Sequence, residues 1–123
     1  MPRVVHFEIS SDNPEKVVAF YRMVFGWEIF KWSGSQEYWL VNTGDDDLPG
    51  IDGGIYKRSK LFRGIVNSID VPDIDAYIEK VKQHHGSVVS EKRAIPGVGY
   101  IAYCKDIEGT IFGLTQADDN AGK

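Results

Sequence analysis

The chain has 123 residues, of which 42% are hydrophobic and 26% charged, with a formal net charge of −4. That composition is ordinary for one soluble globular domain with a real core, and its acidic balance supplies no basic field for nucleic acid or an anionic membrane surface. No apolar run approaches a membrane span, and Met1-Pro2-Arg3 leads into a strand-like run without a signal-peptide core, so a cytoplasmic protein is expected.

Residues 4–10 (VVHFEIS) alternate. Val5, Phe7 and Ile9 fall on one face, and Val4, His6, Glu8 and Ser10 on the other, which is strand periodicity. Asp12-Asn13-Pro14 then combines candidate caps with a proline suited to a first helical turn. Val17, Val18, Phe20, Tyr21, Val24 and Phe25 recur at helical spacing until Gly26. Strand-like runs follow at Trp27–Trp32 and Glu37–Asn42, parted by the turn signal Ser33-Gly34-Ser35. The loop Gly44–Gly50 carries Asp45, Asp46 and Asp47 without the alternating spacing and distal glutamate of a calcium loop. A solvated loop is expected there. Ile51–Lys57 is a further strand and carries Gly53 and Gly54.

The pattern then restarts. Arg63–Val71 predicts a strand, and Asp73-Ile74-Asp75 opens a helix with Ile74, Tyr77, Ile78 and Val81 on one stripe, ended by Gly86. Ser87–Glu91, Tyr100–Lys105 and Thr110–Thr115 predict three more strands, with turns at Ile95–Gly99 and Asp106–Gly109. Adding sixty to the residue number carries Ile9 onto Ile69, Val18 onto Ile78 and Gly26 onto Gly86, so core positions fall on core positions. A repeat of this kind means two copies of one unit. The expected fold is α+β: two β-α-β-β-β modules, about 3–57 and 63–116, with 117–123 as a flexible tail. Helices would lie outside a cupped sheet, and His6, Glu8, Val66 and Ser68 would line the cleft between the modules. Whether the modules pair within one chain or across a dimer stays open.

The segments HFEISSDNPEKVVAFYRMVFGW, PGIDGG, SIDVPDIDAYIEKVKQHHGSVV and IPGVGYIAYCKDIEGTIFGL together resemble the vicinal oxygen chelate superfamily. Its members include glyoxalase I, bleomycin-resistance proteins, extradiol dioxygenases and methylmalonyl-CoA epimerase. The resemblance covers roughly residues 4 to 116, and the helix end FY…FGW and the terminal strand D-x-E-G-x-x-F-G-L are its most specific parts. It implies paired βαβββ modules, frequent homodimers and, in many members, a divalent metal held by four side chains. His6 matches the first ligand position. The matching position of the second module is Val66, the last-strand carboxylate falls at Gly113, and the sixty-residue shift places its first-module counterpart at Gly53. Three of four positions thus lack a donor, and the expectation is no metal and no other cofactor, with a divalent ion held by His6 and Glu8 as a weaker alternative. The chain most resembles the group labelled "predicted enzyme related to lactoylglutathione lyase".

Each candidate residue has two readings. His6 is either a strand histidine satisfied by a neighbour or a proton-transfer group. Glu8 shares its face, so a His6–Glu8 contact explains both residues with or without catalysis. Gly113 and Gly53 suggest space for a ligand, whereas Gly54 suggests a bulge. Tyr38 and Trp39 alternate, so one of them faces the cleft. Trp32, Tyr56, Tyr100 and Tyr103 add aromatic surface for stacking or for core packing. His84-His85 closes a helix as a C-terminal cap, and Cys104, the single cysteine, is a small strand residue with no adjacent base.

The first functional expectation is a small-organic-molecule binding module without metal, with His6, Glu8, Tyr38, Trp39, Gly53, Val66, Ser68 and Gly113 lining the cleft. The second is a lyase, isomerase or epimerase using His6 and Glu8 for proton transfer, with metal-dependent glyoxalase I chemistry not expected. The third is a dimeric interaction domain with a vestigial cleft.

Overall fold

The computed structural model describes residues 2–34, 36–58 and 64–123. Ser35 and Arg63, which the sequence assigns to a turn and to a strand, lie outside them. The chain divides into two compact units, one of His6–Val66 and the other of Asn67–Lys123 together with the residues up to Val5.

The first unit follows the expected order. Strand β1 (Arg3–Ser11) leads to helix α1 (Pro14–Phe25) and to strands β2 (Glu28–Lys31), β3 (Tyr38–Asn42) and β4 (Asp52–Lys57). Asn13 accepts a hydrogen bond from the Lys16 N–H at 3.3 Å and Pro14 fills the first turn. The helix stops at Gly26, which is left-handed at φ 71°. β2 pairs antiparallel with β3, β3 antiparallel with β4, and β4 parallel with β1. Val18 of α1 is buried with Ile29, Trp39, Val41 and Ile55, and Phe7, Ile9, Val17, Tyr21 and Trp27 pack against them. Apolar positions of period two in the strands and of helical period in α1 therefore meet on one side of this sheet.

The second unit repeats the plan with β5 (Ile65–Asp70), α2 (Ile74–Gln83), β6 (Ser87–Ile95), β7 (Gly99–Lys105) and β8 (Ile111–Ala117). β6 pairs antiparallel with β7, β7 antiparallel with β8, and β8 parallel with β5. The Asp73 carboxylate caps α2 by accepting from the Ala76 N–H at 3.2 Å. Ile74 and Ile78 are buried against Val71, Ala102, Cys104 and Leu114. β6 and β8 run further than their own alternation predicts because β7 holds their ends, pairing Gly99 with both Ile95 and Ala117. Cys104 is buried, and burial pushes its thiol up from the ordinary value, so the thiolate needed for reactivity is disfavoured.

Residues 117–123, expected as a flexible tail, make contacts with the Ile95–Gly99 turn: the Gly97 N–H donates to the Ala121 carbonyl at 3.0 Å, the Asp118 N–H donates to the Val98 carbonyl at 3.0 Å, and Ala121 is fully buried. The end of α2 also differs from that of α1. Its left-handed residue is His85, at φ 73°, and the Gly86 N–H reaches back to Val81 O while the His85 N–H reaches Lys82 O, which is the Schellman pattern. Gly86 is needed for a separate reason. A Cβ there would lie 2.7 Å from both the Lys105 carbonyl oxygen and Val81 Cγ1.

These two neighbours should therefore respond oppositely to substitution. His85→Gly removes the left-handed penalty and should raise stability by roughly 1 kcal/mol. Gly86→Ala forces the helix end away from β7 and should lower it by about 1–3 kcal/mol. Urea-unfolding midpoints of the two variants check the pair, and a stabilising Gly86→Ala would contradict this packing.

Candidate functional site

The face of the first sheet opposite α1 carries His6, Glu8 and Tyr38 of the expected lining residues. Alternation along β1 turns Phe7 and Ile9 toward the helix, which leaves His6, Glu8 and Ser10 on the other side. Parallel pairing sets His6 beside Asp52, Glu8 beside Gly54 and Ser10 beside Tyr56. Antiparallel pairing of β3 with β4 sets Tyr38 beside Tyr56 and Leu40 beside Gly54. The Tyr38 and Tyr56 rings lie 6.4 Å apart at an interplanar angle of 17°.

The centre of this face is a contact between His6 and Tyr38. Nε2 of His6 lies 3.0 Å from the Tyr38 hydroxyl. The imidazole either accepts from the phenol or donates to its oxygen, according to tautomer. To make this contact the phenol leans along the sheet and crosses Gly54. A Cβ at Gly54 would lie 1.9 Å from the Tyr38 hydroxyl oxygen, so glycine is a condition of the hydrogen bond.

Electrostatics follow from burial. Burial holds the His6 imidazole below its ordinary value of 6.5, against the opposing pull of Glu8 and Asp52. The ring is therefore neutral near pH 7 and able to accept a proton. Burial, reinforced by the Glu8 charge, pushes the Tyr56 phenol up to about 12. Asp52 accepts hydrogen bonds at Oδ1 from the Thr43 N–H (2.9 Å) and the Thr43 hydroxyl (3.3 Å), which ties the start of the acidic loop to β4. Asp45, Asp46 and Asp47 themselves are exposed, as a solvated loop requires.

The register corrects the placement of two expected residues. Gly53 faces α1, since a Cβ there would meet the Phe7 carbonyl oxygen at 2.4 Å and the Phe7 ring at 2.5 Å. Trp39 also lies on the helix side, within the core. Tyr38 and Gly54 occupy the opposite face instead. The sixty-residue offset that relates β1 to β5 shortens by one at the last strand of each module, where Glu8 pairs with Gly54 and Ser68 with Gly113. Gly54, not Gly53, is therefore the counterpart of Gly113. Tyr56 and Asp52 share this face by parity with Gly54, a signal the sequence offered once the phase of β4 was known.

In the second module Ser68 lies beside Gly113, which lies beside Tyr103. Val66 and Ser68 are both buried. A Cβ at Gly113 would lie 2.7 Å from the Ser68 hydroxyl and 3.4 Å from the Tyr103 ring. The expected cavity at Gly113 is thus taken up by its own neighbours. The Ser68 hydroxyl has no hydrogen-bond partner among the described residues.

This donor set does not fit a divalent metal. His6 is engaged with Tyr38, and Val66, Gly113 and Gly54 carry no donor atom at the other three positions. The space a ligating side chain would need at Gly54 is filled by the phenol. Among the described residues no group of three or more His, Cys, Asp or Glu side chains is placed to hold an ion, and a His–Glu pair alone is too few donors.

A family model described as "Glyoxalase/Bleomycin resistance protein/Dioxygenase superfamily" matches residues 3–114. The curated protein named "Putative glyoxylase CFP32" from Mycobacterium bovis is 28% identical over 113 residues, covering 87% of this chain and 41% of that protein. The protein of the same name from Mycobacterium tuberculosis matches with the same figures. The chain therefore spans about two-fifths of the length of these curated relatives. Among solved structures, Streptomyces coelicolor methylmalonyl-CoA epimerase in complex with 2-nitronate-propionyl-CoA superposes with a TM-score of 0.72 at 16% identity, covering 98% of each chain. A superfamily member from Vibrio splendidus gives 0.67 at 19% identity, covering 94% of this chain and 99% of that one.

The site carries a pH signature of known sign. Because the folded protein depresses the His6 pKa, the unfolded chain binds this proton more readily, so stability is fully present above about 6.5 and falls as pH drops through the folded value. His6→Gln should flatten that part of the stability–pH curve. Chemical denaturation of both proteins at a series of pH values from neutral downward tests this, and parallel curves would count against a buried neutral imidazole.

Proposed function

The chain belongs to the glyoxalase/bleomycin resistance protein/dioxygenase superfamily, and from that premise we propose that it binds a small organic molecule at the His6–Tyr38 face of its first module without a resident metal. The observation that carries this reading is the convergence of His6, Glu8, Tyr38 and Tyr56 on one sheet face. Polar side chains gathered in this way, with Glu8 buried and His6, Tyr38 and Tyr56 half-buried, are unusual unless they serve a ligand or one another. Phe30 and Leu40, paired across β2 and β3 on the same face, are 60% and 46% exposed. A ligand with an oxygen-bearing head and a planar or apolar body suits both parts.

A second reading is supported by the His6 environment. A neutral imidazole beside a phenol and a carboxylate is a proton acceptor next to a proton donor, the pairing an isomerase, epimerase or lyase uses at a carbon acid. The fold shared with methylmalonyl-CoA epimerase is compatible with it. In this version His6 removes the proton and Tyr38 or Glu8 assists.

Thermal-shift screening with planar and amphipathic compounds tests the binding reading. A ligand at a hundredfold its Kd adds about 2.7 kcal/mol of stability. The shift should persist in EDTA and be lost in His6→Ala. A panel without any stabilising compound would sink the proposal. For the enzymatic version, deuterium incorporation from D2O at the acidic carbon of a thioester or ketone substrate is the readout, and His6→Gln should slow it about 10²- to 10⁴-fold.

A further inference from the structure

We propose that Gly54 is the specificity-determining residue of the first module, because its missing side chain admits the Tyr38 phenol to His6 and presents the ligand with a phenol–imidazole pair. The inference rests on the small-molecule reading above and names the chemistry of that site. A ligand is met by hydrogen bonding to a carbonyl, hydroxyl or enol oxygen, and not by chelation.

Three independent observations converge. Gly54 is the residue in register with Glu8, at the centre of the polar face. The nearest atoms to a Cβ built there are the Tyr38 hydroxyl oxygen, Cζ and Cε1, at 1.9, 2.1 and 2.6 Å, so any side chain expels the phenol. The phenol so admitted reaches Nε2 of His6 at 3.0 Å. Its ring also lies near-parallel to the Tyr56 ring, at 17° with centroids 6.4 Å apart, an aromatic contact that favours this position of the phenol.

The hydrogen bond fixes what the pair can do. With Nε2 protonated, the imidazole donates to the phenol oxygen and the phenol proton is directed to an acceptor on the ligand. With Nε2 unprotonated, the phenol donates to the ring and its oxygen accepts from a ligand hydroxyl. The two states are the two tautomers of the neutral imidazole, exchanged by moving the ring proton between Nε2 and Nδ1 through solvent and turning the phenol hydroxyl, so neither carries net charge. A neutral pair of this kind is cheaper to bury than a metal with incomplete ligands.

The test uses the intact chain. In long-range 1H–15N spectra, the His6 ring should show a hydrogen-bonded Nε2 that is lost in both Gly54→Ala and Tyr38→Phe, while His84 and His85 stay fixed as internal references. An unchanged His6 in Gly54→Ala overturns the gating role, and Tyr38→Phe, which adds no bulk, covers the case in which the alanine variant fails to fold. Acetohydroxamate in the presence of EDTA is the binding probe, offering adjacent carbonyl and hydroxyl oxygens. Its Kd should rise at least tenfold in both variants. Binding that survives both substitutions overturns this inference alone. No binding by the unsubstituted protein overturns the oxygen-acceptor ligand class and, if the wider panel is also silent, the small-molecule reading beneath it.

Discussion

The first module is organised by the parallel pairing of β1 with β4. That ladder places His6 beside Asp52 and Glu8 beside Gly54, and a slip of one residue would exchange the two faces of β4. Gly53 would then meet the polar side, Tyr56 would enter the core, and Ile55 would leave it. Ile55 is fully buried among Val18, Ile29, Trp39 and Val41, so the hydrophobic effect on the helix side enforces the register of the polar side. Burial of one isoleucine is worth about 1.5–3 kcal/mol, more than a single neutral hydrogen bond. The geometry of the polar face is thus inherited from packing on the opposite side.

Burial also decides the charge state within that face. Glu8 and Asp52 both favour a protonated imidazole, yet desolvation is the larger effect on His6. Asp52 already directs its Oδ1 to two donors of Thr43, so part of its charge is engaged elsewhere. A neutral imidazole is what a phenol can share a proton with, and the same burial keeps the Tyr56 phenol protonated. The His6 imidazole at the centre of the face is therefore held uncharged by the same loss of water that would penalise an ion without its ligands.

Much of this was legible in the sequence, and the failures have a common physical cause. The alternation of residues 4–10 identified both the strand and the face of His6 and Glu8, because one side of that strand is uniformly apolar. The repeat gave the β-α-β-β-β plan of each module. What periodicity does not encode is phase across a ladder. Tyr38-Trp39 and Gly53-Gly54 are each a pair in which either member could face either side, and adjacent glycines offer no polarity to separate them. Pairing of Val41 with Gly53 and Leu40 with Gly54 resolves both at once. The offset between modules shifts by one at the last strand for the same reason, since nothing in a Gly-Gly step marks it. Gly86, read in the sequence as the end of α2, is held there by the close approach of the Lys105 carbonyl, while the left-handed turn falls on His85.

The two glycines of β4 are needed for opposite reasons, and the contrast locates where this fold has freedom to change. At Gly53 the obstacle is the Phe7 carbonyl, a backbone atom of the neighbouring strand, so a side chain there must part β1 from β4. At Gly54 the obstacle is the far end of the Tyr38 side chain, which can swing away by rotation. Glycine in a strand interior costs about 0.5–1 kcal/mol relative to alanine. At position 53 that cost is imposed by the ladder itself. At position 54 the ladder would survive a larger residue, and only the approach of the phenol to His6 would be lost. A residue whose replacement the fold can absorb, but whose replacement breaks the hydrogen bond between His6 and Tyr38, is constrained by that hydrogen bond.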